Sequence, residues 1–201
     1  LMMQLYDFLY SARRKLHLFV WKMVFSNSFK HFGAGSSIYR PRNIQGSKYI
    51  SIGNNSHLFP GAWLLALKNN DVSPEITISD NCYIGHYVHI VSVNQIVIED
   101  SVLIADKVYI SDNLHSFDNI NIPIKDQAVV FKKTVRIKSG AWIGENACVI
   151  GATVGKNSVV AANSVVTKDV PDYSVVAGAP ARIIKRYCHD LETWVRVAVD
   201  E

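Results

Sequence analysis

Residues 135–166 read VRIKSGAWIGENACVIGATVGKNSVVAANSVV. Aliphatic side chains stand at Ile137, Ile143 and Val149, and again at Val154, Val160 and Val166. Two positions before them come the smaller Val135, Ala141, Ala147, Ala152, Ser158 and Ser164. An amphipathic helix needs apolar spacing of three and four, and a half-buried strand needs two. A sustained step of six fits neither alone. It fits a short strand with two inward residues, then a turn, repeated. Three such hexapeptides close a triangular coil, and coils stack at the strand spacing of about 4.8 Å.

The same step extends towards the N-terminus. Ile52, Leu58 and Leu64 keep it, as do Ile78, Ile84, Ile90 and Ile96, then Ile98, Ile104 and Ile110. Their smaller companions are Ser56, Ala62, Cys82, Val88, Val102 and Val108. Gly53, Gly85, Gly144 and Gly155 directly follow aliphatic positions and are expected to let the backbone turn sharply there. A sandwich of short strands would show alternation without this fixed step. The register slips between Ile96 and Ile98 and between Val149 and Val154. Residues 65–75 and 111–131 carry no repeat. Unpatterned segments longer than about 12–15 residues are usually functional or disordered, which directs attention to 111–131.

The ends differ from the middle. Leu5, Phe8, Leu9, Ala12, Leu16, Phe19, Val20 and Met23 follow three/four spacing, so residues 1–30 predict an amphipathic helical cap. The apolar stripe is expected to cover the open first coil, or to lie on an anionic membrane surface. Leu191, Trp194, Val195 and Ala198 predict a short C-terminal helix over 188–201. The domain between, 31–187, is expected to be all-β.

Composition bounds the function. The 201 residues are 49% hydrophobic and 19% charged, which excludes a disordered chain. Residues 1–50 hold eight Lys/Arg and one acid, +7; residues 51–201 hold thirteen and sixteen, −3. That asymmetry points to an anionic surface near the N-terminus rather than to nucleic acid. Asp7, Arg13, Arg14, Lys15 and Lys22 interrupt the apolar start, so neither a membrane-spanning helix nor a secretory signal is expected. Three widely spaced cysteines without a C-x-x-C give no zinc knuckle or disulfide framework and fit a reducing, cytoplasmic setting.

The repeat, the loop bearing His115 and the segment VVTKDVPDYSVVAGAPARIIK (165–185) together resemble the hexapeptide-repeat, left-handed parallel β-helix acyltransferases. Within them the chain is most similar to the sugar O-acetyltransferases, including those of capsule, O-antigen and exopolysaccharide synthesis. The resemblance implies acetyl-CoA as co-substrate, no metal, a saccharide acceptor and a homotrimer. It implies His115, in ISDNLHS (110–116), as the general base, with Asp112 to orient the imidazole and Asp118 as a weaker candidate. Asn113 stands where relatives often carry a second His. Asn94 and Asn113 are candidates to face the acceptor. For the coenzyme it implies Trp142, Gly144, Glu145, Ala162, Thr167 and Lys168 along the pantetheine arm, and Arg182 and Lys185 at the nucleotide phosphates. An amino-sugar N-acetyltransferase would use the same base and donor site. A zinc-dependent γ-type carbonic anhydrase needs three converging His. His86, His89 and His115 lack that spacing. A non-catalytic β-helix scaffold would be indifferent to loss of His115.

Overall fold

The computed structural model describes residues 2–69 and 71–197. Three parallel faces form a left-handed β-helix. The first face runs His31–Phe32, Ile50–Ile52, Glu75–Ile78, Gln95–Ile98, Val135–Ile137, Thr153–Val154. The second runs Ser37–Ile38, His57–Leu58, Tyr83–Ile84, Leu103–Ile104, Trp142–Ile143, Val159–Val160, Ser174–Ala177. The third runs Asn43–Gln45, Trp63–Ala66, His89–Ser92, Tyr109–Ser111, Cys148–Ile150, Val165–Val166.

Every aliphatic position of the six-residue step is buried, Ile52 through Val166. The smaller residue two before it is buried too, with Ser56, Ser158 and Ser164 fully enclosed. Those serines are satisfied by neighbouring coils. Ser56 Oγ donates to the Ser79 carbonyl and accepts from the Cys82 N–H at 2.9 Å. The apparent slip at Ile96 and Ile98 is a face with two inward positions. Ile96 and Ile98 stack on Ile76 and Ile78 beneath and on Val135 and Ile137 above.

The step is strict at two corners and free at the third. From first to second face it is six throughout, as from Ile98 to Ile104 or Ile137 to Ile143. From second to third it is again six, as from Ile104 to Ile110. From third back to first it varies: Ile90 to Ile98, Ile110 to Ile137, Val149 to Val154. Both unpatterned segments lie on this third corner.

The glycines after the aliphatic positions serve stacking rather than sharp turning. A Cβ on Gly144 would lie 2.6 Å from the Ala162 nitrogen and 2.7 Å from the Val160 oxygen. Gly53, Gly85 and Gly155 meet the next coil in the same way. The left-handed corner residues stand two positions further on, at Asn55, Tyr87, Asn146 and Asn157.

The N-terminal end follows one of its two expected facings and the C-terminal end departs from expectation. The helix α1, Met2–Phe25, forms, but the apolar stripe does not face the coil. Leu5, Phe8, Leu9, Ala12, Leu16, Phe19, Val20 and Met23 are exposed. The docked side is Arg14, His17, Leu18 and Trp21. His17 packs edge-on to Tyr39 at 5.2 Å, and Trp21 sits among Phe25, Phe29 and Phe32. The bulky indole, rather than the longer stripe, fills the space beneath the first coil. At the other end the predicted helix is a hairpin, Arg182–Cys188 with Thr193–Arg196. The first hairpin strand pairs antiparallel with Ser174–Ala177, so the unpaired edge of the second face dictates strand geometry against helical spacing. Ala198 and Val199, assigned to that helix, lie outside the described residues.

Gly144→Ala should destabilise the coil by about 1–3 kcal/mol through overpacking. Chemical denaturation would show a lower midpoint, and an unchanged midpoint would mean the stack yields there.

Candidate active site at the coil corners

The chain leaves the coil after Ser111, and the reason is Asp112. Its carboxylate is fully buried. Oδ2 accepts from Ser92 Oγ at 2.9 Å and from the Asn94 and Gln95 N–H groups at 2.8 Å each. Oδ1 accepts from the Val93 N–H and from Asn113 Nδ2, both at 2.9 Å. The Asp112 carbonyl accepts from the N–H groups of Lys132 and Lys133, closing the base of the excursion. One residue therefore holds the preceding coil's turn and both ends of the loop. A buried carboxylate is tolerated because five donors replace its hydration.

Asp112 thus does not orient the imidazole: its two oxygens serve the 92–95 turn and Asn113. Asp118 bonds Ser116 Oγ at 3.1 Å instead. Asn113 is buried as well, its Nδ2 donating to the Val91 carbonyl at 3.1 Å, so it faces the coil rather than an acceptor. Its amide is used twice by the fold.

His115 ends the strand Asn113–His115, opposite Val129 in an antiparallel pair with Val129–Phe131. Its ring is exposed. The excursion is thus an ordered hairpin, with Phe117, Ile120, Ile122 and Ile124 exposed on its tip. Beside it lies a cleft of about 370 Å³ with Asn94 and Val93 on one wall and residues 128–131 on the other. The second unpatterned segment supplies the rest through Asn69 and Val72. Asn69 Nδ2 donates to the Val129 carbonyl at 3.0 Å and latches the two excursions together. Asn69 and Ser92 went unnoticed in the sequence. The signal available was that 65–75 breaks the repeat at the same corner as 111–131.

The expected donor residues lie elsewhere. Trp142, Gly144 and Glu145 stand where the second face turns into the third. There Lys107, Glu145, Asn146, Ala162 and Asn163 line a cleft of about 320 Å³. Lys107 Nζ meets Glu145 at 3.1 Å and Asn146 Nδ2 donates to Asn163 Oδ1 at 2.8 Å. Lys107 is an addition to the residues read from sequence. Arg182 pairs opposite Ala177 at this side, its guanidinium donating to the Ala181 carbonyl. Lys185 stands opposite Val175, further along the strand. Thr167 and Lys168 follow Val165–Val166 and so emerge at the other corner, the one that carries His115.

The third face thus separates two corners, His115 at its exit and the Gly144 cleft at its entry. Between them runs a half-buried aromatic ladder. Trp63 stacks on His89 at 4.2 Å and 12°, Tyr109 leans on His89, and Arg42 covers Trp63 at 4.8 Å. Burial, aided by the Arg42 charge, holds the His89 imidazole below the usual histidine range. His86 bonds Asp106 at 3.2 Å. Among the described residues no three His, Cys, Asp or Glu side chains gather as a metal site.

The hexapeptide repeat of succinyl-transferase matches residues 134–168. The chain is 39% identical over 126 residues to WbbJ of Escherichia coli K12, a protein named for O-acetyl transfer in lipopolysaccharide biosynthesis. That match takes in 59% of this chain and 64% of WbbJ, so the chain spans under two thirds of that relative's length. Among solved structures, galactoside acetyltransferase in complex with coenzyme A superposes with a TM-score of 0.52 at 25% identity, over 77% of this chain and 64% of that one. AntD, an N-acyltransferase from Bacillus cereus in complex with dTDP and 3-hydroxybutyryl-CoA, reaches 0.72 at 20% identity, over 87% and 92%, and shares the fold.

Asp112→Asn puts an amide donor against main-chain donors and should cost about 3 kcal/mol. Thermal melting and limited proteolysis should show a looser 113–131 excursion. A variant as stable as the parent would mean the network is not needed to hold the loop.

Proposed function

We propose, for a chain that belongs to the hexapeptide-repeat acyltransferase family, the transfer of acetyl from acetyl-CoA to a saccharide hydroxyl in surface-polysaccharide synthesis. The observation that carries this reading is the separation of His115 from the Gly144 cleft by the width of the third face. One chain offers a base at one corner and a donor groove at another. Copies arranged with their third faces towards a common threefold axis bring the His115 corner of each against the Gly144 corner of its neighbour. A homotrimer then completes three sites and covers the Trp63–His89–Tyr109 ladder.

The acceptor hydroxyl enters the cleft beside Asn94 and attacks the thioester carbonyl carbon. A neutral imidazole takes its proton as the C–O bond forms. The tetrahedral intermediate collapses with loss of the coenzyme thiolate, which the His115 imidazolium reprotonates. No covalent acyl-enzyme is needed. The groups that fit the coenzyme are the narrow backbone corner at Gly144 and Ala162, the Trp142 ring, and the cations Lys168, Arg182 and Lys185 for phosphates. Lys168 stands on the His115 corner, so in the trimer it faces a neighbour's donor groove. The kinship with WbbJ supports a hydroxyl acceptor over an amine.

The outward stripe of α1, flanked by Arg13, Lys15 and Lys22, supports peripheral contact with the inner face of an anionic membrane. No described helix is long and apolar enough to cross one.

His115→Ala should lower acetyl transfer by about 10²–10⁴-fold with unchanged acetyl-CoA binding, measured by calorimetry. Retained turnover would remove His115 from the mechanism. Leu9→Ser with Leu16→Ser should abolish flotation with phosphatidylglycerol vesicles while preserving the melting temperature; unchanged flotation would leave the stripe without that role.

A further inference from the structure

Between α1 and the first two coils lies a cleft of about 480 Å³, distant in sequence from every residue of the proposed active site. Three cations line it, Arg14, Lys15 and Lys22, and no acid does. Among the described residues none of the three pairs with a carboxylate: the ion pairs elsewhere in the chain use Lys30, Lys107, Lys125, Lys133, Arg136 and Lys138. Arg14 is held in place, its guanidinium 5.7 Å from the ring centres of both Tyr39 and Phe59. A fixed cation without a counterion is a binding element, because its ordering entropy is already spent. On the floor, Ser37 Oγ lies 2.9 Å from His57 Nδ1, while the Ser36 hydroxyl is committed to the coil, donating to the Gly53 carbonyl and accepting from the Ser56 N–H.

The other wall is apolar, formed by Leu18, Phe19 and Phe59. Phe19 belongs at once to this wall and to the exposed stripe of α1. The cleft therefore opens onto the surface that carries Leu16, Val20 and Met23. A site with three cations, an apolar wall, and a mouth on an apolar stripe is built for an amphiphile with an anionic head.

We propose that this cleft takes the phosphate headgroup of an anionic phospholipid from the bilayer on which α1 lies. The phosphate sits among Arg14, Lys15 and Lys22, and the glycerol end runs over Phe19 to the stripe. The inference rests on the membrane contact proposed for α1 and adds a stoichiometric, headgroup-selective site to it. It assigns Arg14 a role in recognition apart from general surface charge. Arg13, on the same helix but outside the cleft, serves as the internal control.

The test uses the full chain and two probes: vesicles of phosphatidylcholine with or without phosphatidylglycerol, and soluble dihexanoyl phosphatidic acid with inorganic phosphate as competitor. The soluble lipid should bind saturably, one per chain, followed by titration calorimetry. Arg14→Gln with Lys22→Gln should weaken it about tenfold or more, about 1.4 kcal/mol. Arg13→Gln should change it less than about twofold. Equal loss in Arg13→Gln, non-saturable binding, or inorganic phosphate competing as well as the lipid would overturn the site. If the parent chain ignores all vesicles, the membrane reading falls; if it binds them and the double variant behaves like Arg13→Gln, only the cleft falls. Circular dichroism and melting of each variant confirm that α1 remains docked through Trp21.

Discussion

Stacking one coil on the next at the spacing of a parallel ladder is the constraint on which everything else depends. Each inward residue sits directly on its counterpart one coil below, as Ile50, Ile76, Ile96 and Val135 do on the first face. The stack admits no Cβ where a corner passes close to the next backbone, hence the glycines. It admits no unpaired polar group inside, hence serines that bond across coils. The energy comes from burial of long aliphatic columns, and the geometry comes from the ladder that keeps them in register.

That constraint explains where the chain is free to vary. Two corners keep a step of six because any added residue would rotate the next strand off its column. The third corner absorbs additions, and there the protein places its cleft, its hairpin and His115. Asp112 is the price of that freedom: a buried carboxylate collects the main-chain donors that the interrupted coil leaves open. An exposed imidazole and the buried carboxylate that holds its loop are thus close neighbours in sequence, His115 outside and Asp112 inside.

Much of the fold was legible because six-residue periodicity has few physical solutions. The interior positions of the six-residue step from Ile52 to Val166 could be named from spacing, while Ala66 and Ile76, at the edges of the unpatterned 65–75, could not. His115 stood out through its unpatterned loop and the family resemblance, and the structure places it exposed at the corner where the loop leaves the coil. Asp112 and Asn113 were misread in role, since sequence distance says nothing about whether an oxygen points at an imidazole or at three backbone N–H groups. The N-terminal segment was read correctly as a helix; of the two facings left open for its apolar stripe, covering the first coil is the one the structure lacks. Apolar periodicity reports which residues cluster, while docking was decided by one large side chain, Trp21, and by Arg14 lying over two rings. At the C-terminal end local helical spacing lost to an unpaired sheet edge, a non-local effect.

The antiparallel hairpin at that end has a consequence for how copies of the chain meet. A parallel coil stack has identical edges above and below, and two such stacks could join end to end without limit. Here the lower end is occupied by α1 with its aromatic plug, and the upper end reverses strand direction at Arg182–Cys188. The two ends no longer match, which disfavours the end-to-end joining that an open ladder invites.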